Sequence, residues 1–241
     1  NYQITDSGCP DDPIKFCKFL FKINTYIDNL KTDEKIYVHC RGGHGRSGVM
    51  VASILCTRFN IDPTNSIELT TFYHSNRVTM KDKWRKIGSP QTRSQKLFLY
   101  RMFKQLFFYK ASYVGPATGL STFSMHPVYI NGLGTFNTAE CAYHALKNRS
   151  DRTYVSKFFN TKPNYAKKLG KIHKLTKEEC LMNMELILRL KFDQHPILKE
   201  SLIRSYLRPI IFTGIDSFWG GENNNLGKLL SKIRLDFIYE N

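Results

Sequence analysis

The run His39-Cys40-Arg41-Gly42-Gly43-His44-Gly45-Arg46-Ser47-Gly48 sets a Cys and an Arg around five residues, with His before the Cys and Ser after the Arg. Upstream lies the short apolar run Lys35-Ile36-Tyr37-Val38, read as a strand, and downstream the helix-compatible Val49-Met50-Val51-Ala52-Ser53-Ile54-Leu55-Cys56. A strand, a glycine-rich loop and a helix in that order build an anion cradle. Successive backbone N–H groups converge there, and the helix N-terminus adds positive potential. A Cys at the start of such a loop has a depressed pKa, so its nucleophilic thiolate is populated near neutral pH. Arg46 can grip two phosphate oxygens with its planar fork, while the backbone of Arg41, Gly42, Gly43, His44 and Gly45 lines the cradle. Ser47 can hydrogen-bond the sulfur and help it leave in a second step. The chemistry these residues could do is cleavage of a phosphate ester.

Such cleavage also requires a carboxylic acid to protonate the leaving oxygen and later to activate water. The segment resembles the phosphate-binding loop of cysteine-dependent protein phosphatases of the dual-specificity branch. In that branch the acid lies on a loop about thirty residues before the Cys. Ile4-Thr5-Asp6-Ser7-Gly8-Cys9-Pro10 resembles that loop, which makes Asp6 the expected acid. Asp11 and Asp12 are rivals, although either could instead cap a helix beginning near Pro13. Gly88-Ser89-Pro90-Gln91-Thr92-Arg93-Ser94-Gln95 resembles the lead into the last phosphatase helix, and carries Gln95 over as a water-positioning or packing residue, with His39 as a supporting one. The resemblance implies an α/β phosphatase domain with a parallel-type sheet. Its acid loop stands at the start of the sequence, so the N-terminal part of that domain is expected to be missing. No cofactor and no metal are implied.

A chain of 241 residues can hold one large or two ordinary domains, and 17 Phe with 13 Tyr supply ample core. Residues 1–110 carry 18 Lys and Arg against 9 Asp and Glu, and residues 111–241 carry 18 against 11, so the net charge of +16 is spread over both halves. Such a field favours anionic partners, nucleic acid among them, unless it only reflects a Lys- and Asn-rich residue usage. No apolar stretch reaches the length of a membrane span, and no signal-peptide pattern opens the chain. The six cysteines, at 9, 17, 40, 56, 141 and 180, show no metal-ligand spacing. With a catalytic thiol among them, they point to a reducing, intracellular (cytoplasmic) compartment.

Periodicity predicts helices over 13–30, to about Phe59, from Asp62-Pro63 through Tyr73, and over 94–109. The expected division is a phosphatase-like domain over 1–110, a linker over 111–119 containing Gly115-Pro116, and a second domain over 120–241. In that second domain Val128-Tyr129-Ile130 reads as a strand ending in the turn Asn131-Gly132. Residues 138–147 read as a helix with Glu140, Tyr143, His144 and Lys147 on one face.

The ordered set of that helix, Leu190-Lys191-Phe192-Asp193-Gln194-His195-Pro196, and Asp216-Ser217-Phe218-Trp219-Gly220-Gly221 before Asn225-Leu226-Gly227 resembles the NADAR family over about residues 119–238. Its members act on N-glycosidic bonds of ribosides and include ADP-ribose-removing enzymes. The resemblance implies a mainly α (α+β) domain in which Glu140 and Asp216 stabilise an oxocarbenium-like state. Lys147 would neutralise a phosphate or attack an opened ribose carbon. Trp219 would stack on the ligand, with Gly220 and Asn225 in its binding site. The alternatives are an exposed Glu140–Lys147 helical pair and a Trp219 that is plain core. Ile211 stands where many relatives carry a second Glu, and an expected aromatic is replaced near Leu175 or Thr176.

Three functions follow. One is a phosphotyrosine/phosphoserine/phosphothreonine phosphatase joined to a domain that hydrolyses N-glycosidic bonds of ribosides or ADP-ribose adducts. Its partners would be phosphorylated proteins and a nucleotide, ADP-ribose or riboside ligand, with no membrane. The second is an RNA 5′-phosphatase, suggested by the basic field and by His44 beside the cradle. The third is a non-catalytic ADP-ribose- or phosphate-binding module.

Overall fold

The computed structural model describes residues 2–109, 117 and 119–240, which divide into two compact units. The first comprises residues 1–105 with 206–209, and the second residues 106–205 with 210–241. Most of the expected linker lies outside the described residues. No described helix is long and apolar enough to cross a membrane.

The first unit is built from α1 (Pro13–Asp28), α2 (Arg46–Phe59), α3 (Pro63–Ser75), α4 (Asp82–Ile87) and α5 (Arg93–Phe103). Local chemistry fixes their starts. Asp12 Oδ1 accepts the Ile14 and Lys15 N–H groups at 2.9 and 3.0 Å with Pro13 just inside, so α1 begins there. Asp62 accepts the Thr64 N–H before Pro63 in the same way, and Thr92 with Gln95 forms a reciprocal capping box on α5. Phe16, Cys17 and Leu20 of α1 share one face and meet Val49, Ala52 and Cys56 of α2 and Leu99, Met102 and Phe103 of α5 in one core. That core holds the N-terminal end of α2 in place, and with it the loop that precedes it.

Two expectations require correction. Residues 35–38, read as a strand, form no ladder, because no strand among the described residues lies alongside to accept their hydrogen bonds. The last helix stops at Phe103 rather than 109. Leu106–Phe108 is instead a strand, β1, with its burial alternating in–out–in.

In the second unit β1 pairs in parallel with β4 (Ile210–Phe212), Leu106 opposite Ile210. Strands β2 (Val128–Ile130) and β3 (Gly134–Phe136) form an antiparallel hairpin, and Gly132 in its turn has φ near 75°, which glycine adopts without strain. Around them stand α6 (Ala139–Leu146), α7 (Arg152–Ser156), α8 (Pro163–Leu169), α9 (Lys177–Gln194), α10 (Pro196–Ile203) and α11 (Asn225–Glu240), an α+β arrangement. Every residue of α6 is buried, and the helix packs against α8 and α9. A helix enclosed on all sides delivers its polar side chains to the interior, where each must find a partner.

Candidate active sites in the two units

In the first unit the loop after Cys40 turns sharply at Gly43, whose φ of 70° suits glycine. It enters α2 through Gly45, and no side chain caps that helix end. The first-turn N–H groups of α2 therefore face the loop, a favourable place for an anion. The Gly43 N–H donates to Cys40 Sγ at 3.2 Å, and Ser47 Oγ lies 3.5 Å from the same sulfur. Burial alone would raise the Cys40 thiol. The Ser47 hydroxyl and the N–H groups of Ser47, Gly43 and Gly42 outweigh it and bring the thiol down to about 7.

Arg46 joins this loop to the segment carrying the expected acid. Its Nη2 lies 2.8 Å from Asp6 Oδ1, and its Nη1 donates to the Ile4 carbonyl at 3.2 Å. Asp6 projects from a turn closed by Gly8 N–H to Thr5 O at 2.9 Å, and its side chain is 75% exposed. Asp12, by contrast, is occupied as the α1 cap. Asp6, Cys40, Arg41, Arg46, Trp84 and Gln91 help line an open cavity of about 340 Å³.

Gln95 is fully buried, and both ends of its amide are used: Nε2 donates to Gly8 O at 2.9 Å, and Oε1 accepts the Thr92 N–H at 3.1 Å. A Cβ added at Gly45 would come within 2.9 Å of that amide. Gln95 thus braces the acid loop, the phosphate loop and the start of α5 against one another. His39 is exposed and stacked on Tyr37, with ring centroids 5.3 Å apart.

Four supporting residues escaped the sequence reading. Arg77 donates to Gly43 O at 3.0 Å, and Ser89 Oγ donates to His44 O at 2.6 Å. His74 Nε2 lies 2.7 Å from His44 Nδ1, while Trp84 stacks on the His44 ring at 4.5 Å and 15°. Burial first, then the Arg77 charge, pushes both imidazoles below their ordinary pKa, which favours a neutral pair at pH 7. These contacts come from α3, the segment between α3 and α4, α4 itself and the 88–92 connection, far from the loop in sequence, so no local spacing announces them.

In the second unit Glu140, Lys147, Asp216 and Trp219 line one cavity of about 250 Å³, together with Tyr143 and His144. Thr138 caps α6 and fixes its start. Glu140 is 7% exposed. Its Oε2 accepts the Thr122 hydroxyl at 2.7 Å, and its Oε1 lies 3.2 Å from His144 Nε2. Lys147 donates to Gly170 O at 3.0 Å rather than to Glu140, so the two do not form an exposed helical pair. Burial lowers the Lys147 ammonium pKa, against the opposing pull of Cys180 and Glu140.

Asp216 Oδ1 accepts the Phe218 and Trp219 N–H groups at 3.0 and 3.1 Å and so holds the turn that presents Trp219. Its Oδ2 lies 3.7 Å from Lys167 Nζ. Trp219 stands edge-on to Tyr143 at 5.8 Å. Gly220 and Asn225 build this turn without lining the cavity. A Cβ on Gly220 would strike Gly214 O at 2.6 Å, and Asn225 Nδ2 donates to Phe218 O at 2.8 Å. Ile211 lies within β4, and Thr176 caps α9 with Glu179. Among the described residues no cluster of His, Cys, Asp and Glu could hold a metal ion, and all six cysteines are free thiols.

Residues 16–98 match the family model described as "PTP-SAK: Swiss Army Knife protein, DSP-PTPase phosphatase domain". Over 104 residues the chain is 41% identical to "Putative tyrosine phosphatase 067L" of Invertebrate iridescent virus 3, covering 43% of this chain and 43% of that protein. Over 213 residues it is 30% identical to "Putative tyrosine phosphatase 197R" of Invertebrate iridescent virus 6, covering 87% of this chain and 63% of that protein. The chain thus spans less than two thirds of the length of either relative. The NMR structure of the E. coli protein YbiA aligns with a TM-score of 0.46 and 24% identity, over 58% of this chain and 90% of that one. The thiol, the guanidinium and the braced glycine loop stand within or beside the residues matched by that dual-specificity-type phosphatase model, so the first unit is similar to cysteine-dependent phosphatase domains.

Proposed function

We propose that the first unit hydrolyses phosphate monoesters on phosphorylated proteins, phosphotyrosine among them, through a phosphocysteine intermediate. The observation that carries this reading is the Cys40 sulfur, held by the Gly43 N–H at 3.2 Å with the Ser47 hydroxyl at 3.5 Å, in one cavity with Arg46 and Asp6. The thiolate attacks phosphorus while the loop N–H groups and Arg46 hold the non-bridging oxygens. The P–O ester bond breaks, and Asp6 gives its proton to the departing oxygen. Water then attacks the phosphocysteine and Asp6 accepts its proton. The S–P bond breaks, the Ser47 hydroxyl stabilises the leaving sulfur, and inorganic phosphate departs.

The second unit, in this reading, binds an ADP-ribose-like ligand or a riboside and acts on its N-glycosidic bond. This rests on Glu140 and Asp216 facing a cavity with Trp219, and on Lys147, Lys167 and Lys171 lining the same space. The carboxylates would stabilise positive charge developing on the ribose, and the ammonium groups would offset phosphate charge.

The test is hydrolysis of p-nitrophenyl phosphate and of phosphotyrosine and phosphoserine peptides by the wild type, Cys40→Ser and Asp6→Asn. Turnover that is abolished by Cys40→Ser and depressed by Asp6→Asn is expected. A folded wild type inactive on all three substrates refutes the protein-phosphatase assignment. If it releases phosphate from a 5′-triphosphorylated RNA instead, the substrate is RNA.

A further inference from the structure

Lys191 has no place in the chemistry above, yet it is fully buried. No carboxylate lies within ion-pair distance of it among the described residues. Its Nζ donates instead to Ser121 O at 2.8 Å, to Ser124 Oγ at 2.7 Å and to Gly119 O. An unpaired ammonium in a dry interior is costly, and two carbonyls with a hydroxyl only partly replace its hydration. Burial accordingly lowers its pKa to about 7. A methionine of similar length would fill the same space but leave those three acceptors without their donor, so what Lys191 supplies beyond volume is its hold on them.

All three acceptors belong to one short segment, residues 119–124. That segment lies between Lys191 and Glu140. The Thr122 hydroxyl donates to Glu140 Oε2 at 2.7 Å, and the Thr122 carbonyl accepts the Glu140 N–H at 2.9 Å. Thr122 and Phe123 also line the cavity. With His144 Nε2 at 3.2 Å from Oε1, each carboxylate oxygen has one neighbouring polar group, and Glu140 itself lines the cavity.

We propose that Lys191 is a positioning residue of the second-unit cavity: its three hydrogen bonds clamp residues 119–124, which sets the Thr122 hydroxyl against Glu140 and aims that carboxylate at a bound riboside. The inference rests on the ADP-ribose-like reading of this unit, and the experiment separates the two.

The measurement is the Kd of ADP-ribose, by calorimetry on the full chain, for the wild type, Thr122→Val, Thr122→Ser, Lys191→Met, Glu140→Gln and the double variant Lys191→Met/Glu140→Gln. Thr122→Val and Lys191→Met should each weaken binding about tenfold, the size expected for losing a hydrogen bond to a charged group. Thr122→Ser, which keeps the hydroxyl, should bind like the wild type. The double variant should bind no more weakly than Glu140→Gln alone, because Lys191 then has no carboxylate left to aim.

The positioning role is overturned if Thr122→Val or Lys191→Met binds like the wild type, or if the losses in the double variant multiply. A wild type that does not bind ADP-ribose overturns the reading of the unit itself, and the positioning role with it. Should Lys191→Met fail to fold, Ser124→Ala decides, because it removes one of the three Lys191 contacts at a residue outside the cavity lining: weaker ADP-ribose binding is expected, and a Kd equal to that of the wild type overturns the positioning role.

Discussion

Replacing Ser47 with alanine isolates the group that most depresses the Cys40 thiol. Its hydroxyl is the largest of the contributions opposing burial, and together these bring the sulfur from 9.0 to about 7. The backbone donors, Gly43 N–H at 3.2 Å among them, survive the substitution, so only part of the depression is lost. A hydrogen bond to a charged group contributes about 1.5–3 kcal/mol, and at 3.5 Å this one belongs at the low end, which corresponds to about one pKa unit. The thiolate is the active form, so kcat/KM falls as pH drops through the thiol pKa. In Ser47→Ala the acid limb should move up from about pH 7 by about one unit, leaving the rate about tenfold low on the acid side and nearly normal well above it. Two assays read this independently: the pH profile of p-nitrophenyl phosphate hydrolysis, and the pH dependence of Cys40 alkylation by iodoacetamide, which needs no turnover. The variant should also accumulate phosphocysteine, seen as a burst of p-nitrophenol, because its leaving thiolate is less stable. An alkylation midpoint unchanged from the wild type would refute the assignment of Ser47 as the main depressor.

Gly45→Ala would drive a Cβ to within 2.9 Å of the Gln95 amide, so kcat/KM should fall about a hundredfold, and Gln95→Ala in the same chain should recover part of it by removing the obstacle. Additive losses in that pair, measured as kcat/KM, would contradict the brace. Asp6→Asn should cost about 10²-fold or more on a phosphoserine peptide, whose leaving group needs a proton, and clearly less on p-nitrophenyl phosphate; equal losses on both would assign the acid elsewhere. Trp219→Ala should weaken ADP-ribose binding about tenfold while Trp219→Phe retains most of it, and protection of tryptophan fluorescence from iodide by ADP-ribose checks the contact directly.

The two sites were legible in the sequence to different degrees, for a physical reason. A phosphate loop gathers its donors from adjacent residues, so Cys40, Ser47 and Arg46 declare the chemistry by local order alone. What holds the loop is invisible locally: Arg77, His74, Ser89 and Trp84 arrive from separate elements, brought there only by the packing of α3 and α5 against α2. The 94–109 stretch is ambiguous in sequence for a related reason. Phe103, Leu106, Phe107 and Phe108 are apolar in a pattern that fits either a helix or a buried strand, and the choice fell to a partner, Ile210–Phe212, about a hundred residues away.

In the second unit the face shared by Glu140, His144 and Lys147 was readable from helical spacing, but its meaning was not. The same spacing describes an exposed salt-bridge stripe and a buried cavity wall. Burial decides between them, since α6 is enclosed along its whole length and Glu140 must take its donors from Thr122 and His144 rather than from Lys147. Once Glu140 is committed to those partners, Lys147 is left with the Gly170 carbonyl and a lowered pKa. The carboxylate and the amine therefore face one cavity with separate supports, and either can be altered without unseating the other. That independence is why substitutions at Thr122 and Lys191 disturb the support of the carboxylate and leave that of the amine in place.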